Sequence, residues 1–309
     1  MSRQALHPQV VDVGNSAAVA AAAKQLIAQV GPAKIVVSGA AVVRGVPVLD
    51  LDPEQLRSAF DVNVLSSFWL ARAFLPHMLS SHTPRGVFVT IGSLMADLPA
   101  ARLSEYCAAK AAVSQLHECL RWELRNATGG LGGGGAAASM VAARGVVGGA
   151  TAARAAVRDV RCLHVQPYLV DPQDSPLFAG GTPVKYAWAR PLVPPLRAAT
   201  VAKRIVWAIE ASGPGSSGRL VVPYVFKWLA PVLTCVPSVV RDWLLDLAGA
   251  GCAMDGFVGR QQPDGSPRVA PQRLRAAGSE SVVSASPAAQ SSTPTRTRDV
   301  TGCTSSSRR

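Results

Sequence analysis

The chain has 309 residues, nearly half of them hydrophobic, enough for one sizeable folded core and too apolar for a disordered chain. Its formal charge of +12 is scattered, with no basic stripe interleaved with aromatics. That excludes a nucleic-acid surface and fits a nucleotide cofactor or an anionic membrane face.

In chain order, residues 10–13 (Val-Val-Asp-Val) read as a short strand. Asn15 or Ser16 then caps a helix running to about Val30. Residues 34–37 read as a buried strand, followed by a small-residue turn through Gly39. Asp52 is a good N-cap, Pro53 suits the first helical position, and Gln55 completes a capping box. From there Leu56, Ala59, Phe60, Val64, Phe68, Ala71 and Leu75 recur at helical spacing. Residues 87–91 form a continuous apolar run that reads as a strand, ending at Ser93. A helix carrying Tyr106 and Lys110 follows, and another strand is expected at residues 161–166. Short apolar runs alternating with longer helical patterns predict an α/β fold, a doubly wound parallel sheet of Rossmann-like type. Ligands bind such sheets at the carboxyl ends of the strands, where Asp12, Gly39 and Ser93 fall.

The domain is expected over residues 10–260. A Gly/Ala-rich insert at 127–159 interrupts it, and its run from Gly129 to Gly135 reads as a flexible linker. Residues 261–309, rich in Ser, Pro and Arg, read as a disordered basic tail. The six cysteines form no Cys-x-x-Cys and no histidine pairing at metal spacing, so free thiols in a reducing compartment and no metal are expected. No signal peptide is legible, and no apolar run has spanning length. The nearest, from Leu220 to Val240, is broken by Lys227 and three prolines. With Trp228 and Trp243 it reads either as an interfacial membrane contact or as a cap packed on the core.

The chemistry centres on Ser93, Tyr106 and Lys110. Tyr106 and Lys110 are four apart on a helix and so share a face. A phenol with a free pKa near ~10 is a poor acid or base at neutral pH, and an adjacent ammonium favours its ionised form. With a serine hydroxyl to hold a substrate oxygen, these groups make a proton-transfer device for an alcohol and its ketone.

This spacing resembles the short-chain dehydrogenase/reductase family. The resemblance implies Tyr106 as acid/base, Lys110 as its electrostatic partner and ribose holder, and Ser93 as the carbonyl holder. Residues 60–64 (Phe-Asp-Val-Asn-Val) resemble the family segment whose asparagine kinks its helix and holds a water, which gives that role to Asn63. NAD or NADP is the implied cofactor, contacted by Asp12, Val13, Gly39, Asn63, Tyr106, Lys110, Pro167 and Val170. Stretches such as residues 64–69, 73–78, 167–171 and 254–259 resemble the epidermal retinol dehydrogenase and long-chain hydroxysteroid dehydrogenase branch. That branch implies a lipophilic small-molecule substrate, a homodimer, and residence in the cytoplasm or on the cytoplasmic side of endoplasmic reticulum or lipid-droplet membranes. The family's opening strand and glycine-rich turn have no counterpart in this sequence. The expected domain is therefore N-terminally truncated, lacking its first βαβ unit, with weak cofactor binding. A non-catalytic remnant or an incomplete gene model is the alternative reading.

Overall fold

A computed structural model describes residues 6–79, 86–127, 160–171, 174–178, 194–211 and 218–251, with Met254 and Phe257. The chain divides into a unit spanning Met1–Ala270 and a second, Pro271–Arg309. The second unit, the glycine run and the insert from residue 128 lie outside the described residues.

Four strands form one parallel sheet: β1 (Ile35–Ser38), β2 (Val87–Ile91), β3 (Arg161–Pro167) and β4 (Gly218–Val222), in the order β1-β2-β3-β4. The register places Ile35 beside Val87, Thr90 beside His164 and Val165 beside Leu220. Successive side chains point to opposite faces, so each strand feeds two cores. On one face Val36, Phe88 and Cys162 pack against α3 (Ser66–Met78) and α4 (Ser104–Ala127), through Ala71, Leu75, Met78, Leu116 and Leu120. On the other, Val87, Val89 and Val165 meet Ile205 and Ile209 of α5 (Ala198–Ala211). The doubly wound parallel sheet expected from the alternation is thus present.

Beside β1 that second face is bare: Ile35 is 49% and Val37 51% exposed. A parallel sheet is normally covered on both sides, and among the described residues nothing covers this flank. The strand expected at residues 10–13 is absent for a related reason. Val10 is exposed, and the segment runs as irregular chain into a turn at Val13–Gly14. Valines favour extended backbone, but a strand exists only where a neighbour takes its hydrogen bonds.

The helix starts are set locally. Asn15 caps α1 (Ser16–Val30) by accepting from the Ala17 and Ala18 amides at 3.0 and 3.1 Å. Asp52 caps α2 (Pro53–Phe60), with Pro53 at its first turn. Its carboxylate accepts from the Glu54 amide, where the capping box places that bond one residue further on. The expected continuous helix through Leu75 is interrupted by a single π turn, Asp61–Leu65, before α3. Beyond β4 the chain forms α6 (Phe226–Cys235) and α7 (Ser238–Leu247). Among the described residues no helix is long and apolar enough to cross a membrane.

Phe88 is fully enclosed at the centre of the larger core. Phe88→Ala should lower the unfolding free energy by about 3–5 kcal/mol, read from the shift of a denaturant midpoint at constant slope.

Candidate active site

The carboxyl end of β2 organises the site. Gly92 follows the strand and its amide donates to the Val165 carbonyl at 2.7 Å. A Cβ there would lie 2.5 Å from the His164 ring, so only glycine lets the chain pass. Ser93 then caps a 3₁₀ turn, Leu94–Ala96, its Oγ accepting from the Met95 amide at 3.2 Å.

Tyr106 lies in the first turn of α4 and is almost wholly buried. Its ring packs with Val43, Leu103 and Met254, and meets Phe178 edge-on at 5.6 Å. Burial pushes its phenol well above the usual tyrosine range, and the nearby Ser93 side chain partly offsets this. Lys110, one turn on, is equally buried. Its Nζ lies 5.5 Å from the Tyr106 ring centroid and donates to the Ile91 carbonyl at 2.9 Å. Burial lowers its pKa to about 8, since removing water penalises the ammonium. Ser93, Tyr106 and Lys110 are therefore brought together, with hydroxyl, phenol and amine at one strand end.

Asn63 is buried in the π turn, a feature that recurs at functional sites. The Ser66 hydroxyl donates to the Val62 carbonyl within that turn at 2.5 Å. The Asn63 amide is committed to a loop: Oδ1 accepts from the Val42 amide at 2.8 Å, and Nδ2 donates to the Val42 carbonyl at 2.9 Å.

The other expected cofactor residues fall at these places in the fold. Gly39 follows β1, and a Cβ there would sit 3.5 Å from Ile91. Asp12 folds its carboxylate back on the Gly14 amide at 3.0 Å, and Gly14 packs near Asp61 at the start of the π turn. Val13 shares that turn. Pro167 ends β3, and Val170 makes an isolated bridge with Leu196. Among the described residues no group of three or more His, Cys, Asp or Glu is placed to hold a metal. Cys107 is half-buried against the Tyr106 cluster, and it, Cys119, Cys162 and Cys235 form no disulfide.

Several buried polar residues escaped the sequence reading. Beneath Lys110, Thr90 Oγ1 lies 2.8 Å from His164 Nδ1 and 3.3 Å from His117 Nδ1. One hydroxyl has one proton, so it donates to one ring and accepts from the other, fixing opposite tautomers. Gln166 Nε2 donates to the Ser93 carbonyl at 3.3 Å and to Asp97 Oδ2 at 3.2 Å. Asp97 is in turn held by Arg219 at 3.0 Å. The only sequence signal is that His117 lies seven residues after Lys110, on the same face of α4.

With this geometry in view, comparison with known proteins is informative. A family model for short chain dehydrogenases matches residues 2–129. The chain is similar to the short-chain dehydrogenase/reductase family over these residues. It is 26% identical over 254 residues to the human protein "Short-chain dehydrogenase/reductase 3", covering 82% of this chain and 70% of that one. It is 34% identical over 119 residues to the Pongo abelii "Estradiol 17-beta-dehydrogenase 11", covering 38% of this chain and 39% of the relative. Against the latter, then, the chain spans well under half the relative's length. A short-chain dehydrogenase structure from Streptomyces avermitilis superimposes with a TM-score of 0.50 at 22% identity, over 78% of this chain and 79% of that one, which supports the fold.

NAD or NADP is the cofactor class this similarity implies. The residues present fit one half of it: a buried ammonium, a buried phenol and a polar strand end would hold the nicotinamide ribose. At the pyrophosphate end, no strand followed by a glycine-rich turn and helix occurs among the described residues.

The two histidines generate a pH prediction. Burial lowers His117 to about 4 and His164 to about 3, the latter with help from the charges of His117, Arg219 and Lys110. A histidine whose folded pKa is depressed binds its proton first in the unfolded chain. Its stabilising contribution is full above the unfolded pKa of roughly 6.5 and is lost as pH falls towards the folded value. Denaturant midpoints should therefore fall steadily between about pH 6.5 and about pH 4, and His164→Gln should flatten that slope.

Proposed function

We propose that this chain transfers a hydride between NAD or NADP and a lipophilic alcohol, ketone or aldehyde, with Tyr106 as acid/base. The carrying observation is the buried Tyr106 phenol one helical turn from the buried Lys110 ammonium, which lies 5.5 Å from its ring, with Ser93 at the adjoining strand end. When bound, the nicotinamide supplies or accepts the hydride. Tyr106 takes the proton from the alcohol oxygen in oxidation and returns it in reduction. Ser93 donates to that oxygen and fixes its direction. Lys110 places positive charge beside a phenol that burial otherwise holds protonated. Asn63 spends its side chain on Val42, so the water-relay role falls to the backbone of its π turn. The names of the relatives, a steroid dehydrogenase among them, support a lipophilic substrate.

Tyr106→Phe should lower turnover of retinol or a steroid alcohol about 10²–10⁴-fold while leaving circular dichroism unchanged. Lys110→Ala should cost at least as much, since it removes the charge beside the phenol. A Tyr106→Phe variant with near-parent turnover contradicts the mechanism.

The same reading includes a membrane contact through α6 and α7. Phe226 and Ala230 root α6 against Leu94, Leu98 and Val221, beside the Ser93 turn. Its other side faces solvent, with Trp228 64% exposed, and on α7 Trp243 is 63% exposed. Tyr224, Val232, Val239 and Val240 add to this surface. The Lys227 ammonium lies over the Tyr224 and Trp228 rings, at 5.2 and 5.7 Å. A cap that only completed the core would bury these indoles. Aromatic, cationic and next to the site, it suits an interface that delivers apolar substrate. The homodimer implied by the family would pair α3 and α4, whose outer faces expose Phe68 and Trp122. In liposome flotation, Trp228→Ser combined with Trp243→Ser should release the chain from anionic vesicles. Unchanged flotation, or none by the parent, contradicts the contact.

A further inference from the structure

We propose that Glu105 is a positioning residue that holds the loop of residues 42–44 closed over Tyr106. Glu105 is nearly fully buried, an environment carboxylates occupy only when something holds them there. One oxygen, Oε1, accepts from the Arg44 amide at 2.9 Å. The other, Oε2, has no hydrogen-bond partner among the described residues. The loop is fastened at two points. Asn63 grips Val42 through both its amide and its carbonyl, and Glu105 grips Arg44 two residues on. Between the two points sits Val43, buried against Tyr106, Leu103 and Met254. The Arg44 guanidinium extends away to Ser58 Oγ at 3.2 Å. The chain then turns at Gly45, with φ at +69°, where a Cβ would fall 2.1 Å from the Phe257 ring.

The clamp and the acid/base are consecutive residues of one helical turn. Glu105 reaches out to the loop, and Tyr106 lies beneath the valine that the loop presents. Freeing Arg44 lets Val43 lift and admits water to the phenol. Of the charged and titratable groups nearby, Lys110 faces the Tyr106 ring, Cys107 adjoins it on α4, and Glu105 points to the loop. The inference rests on the acid/base reading for its consequence but not for its test. A Tyr106→Phe variant that still turns over would remove that reading and leave the clamp standing.

The test follows tyrosinate absorbance during alkaline titration. Each protein is compared with its own Tyr106→Phe counterpart, so that Tyr168, Tyr186 and Tyr224 cancel. In the parent chain Tyr106 should stay silent to about pH 11, and in Glu105→Ala it should titrate near ~10. Glu105→Gln retains an oxygen for the Arg44 amide and should behave as the parent. Hydrogen exchange at the Arg44 amide should quicken at least ~10-fold in Glu105→Ala and not in Glu105→Gln, a change expected when an opening costs about 1.4 kcal/mol less. Should Glu105→Ala fail to fold, Glu105→Asp, one methylene short of the amide, serves for the same two readouts. A Tyr106 that stays silent with Arg44 still protected, or a Glu105→Gln protein matching the shortened variant, overturns the proposal.

Discussion

A lysine ammonium with almost no water around it is the constraint on which the site depends. Lys110 Nζ donates to the Ile91 carbonyl at 2.9 Å, so the last peptide of β2 stands in for solvent. That bond ties α4 to the strand end and fixes the turn of helix that carries Tyr106. It also draws the strand's exit to one place. Gly92 must thread past His164, and Ser93 must emerge beside the phenol. Burial works on both partners in the same sense, towards neutrality. It raises the phenol and lowers the amine, and at the phenol the Ser93 side chain partly opposes it.

Around this bond the polar residues form a continuous seam between α4 and the sheet. Tyr106 and Ser93 lie at one end, then Lys110 on the Ile91 carbonyl, then the His164–Thr90–His117 bridge. Gln166 braces the Ser93 carbonyl and reaches Asp97, which Arg219 anchors from β4. Either side of the seam is ordinary apolar packing, through Phe88 and Leu116 on one flank and Leu94 and Leu98 on another. The seam gives one end of the domain its chemistry, and the hydrophobic cores give it rigidity.

How much of this is legible in the sequence depends on whether the cause is local. Asn15 and Asp52 announce their helices because a cap acts within three residues. Tyr106 and Lys110 are legible because one helical turn places them together, and Ser93 because the apolar run before it marks a strand end. The π turn at Asn63 is not, since a one-residue widening leaves the apolar spacing on either side intact. The histidine bridge depends on the β2–β3 register setting Thr90 beside His164, seventy-four residues apart, and no spacing rule reaches that far. Residues 10–13 mislead in the opposite direction: their valines favour a strand, and the pairing that would realise it is missing. Trp228 and Trp243 read equally well as core or as surface; the packing of α6 through Phe226 and Ala230 turns Trp228 outwards, and Trp243 on α7 is exposed as well.

The most direct test of the central claim follows the hydride itself. A retinol or steroid alcohol deuterated at the carbinol carbon would be incubated with the purified chain and NAD or NADP at millimolar concentration. The account predicts that deuterium from the alcohol appears on the reduced nicotinamide ring, and that the Tyr106→Phe protein does not transfer it. Reduced cofactor without deuterium, or no transfer by the parent chain at saturating cofactor, would contradict it.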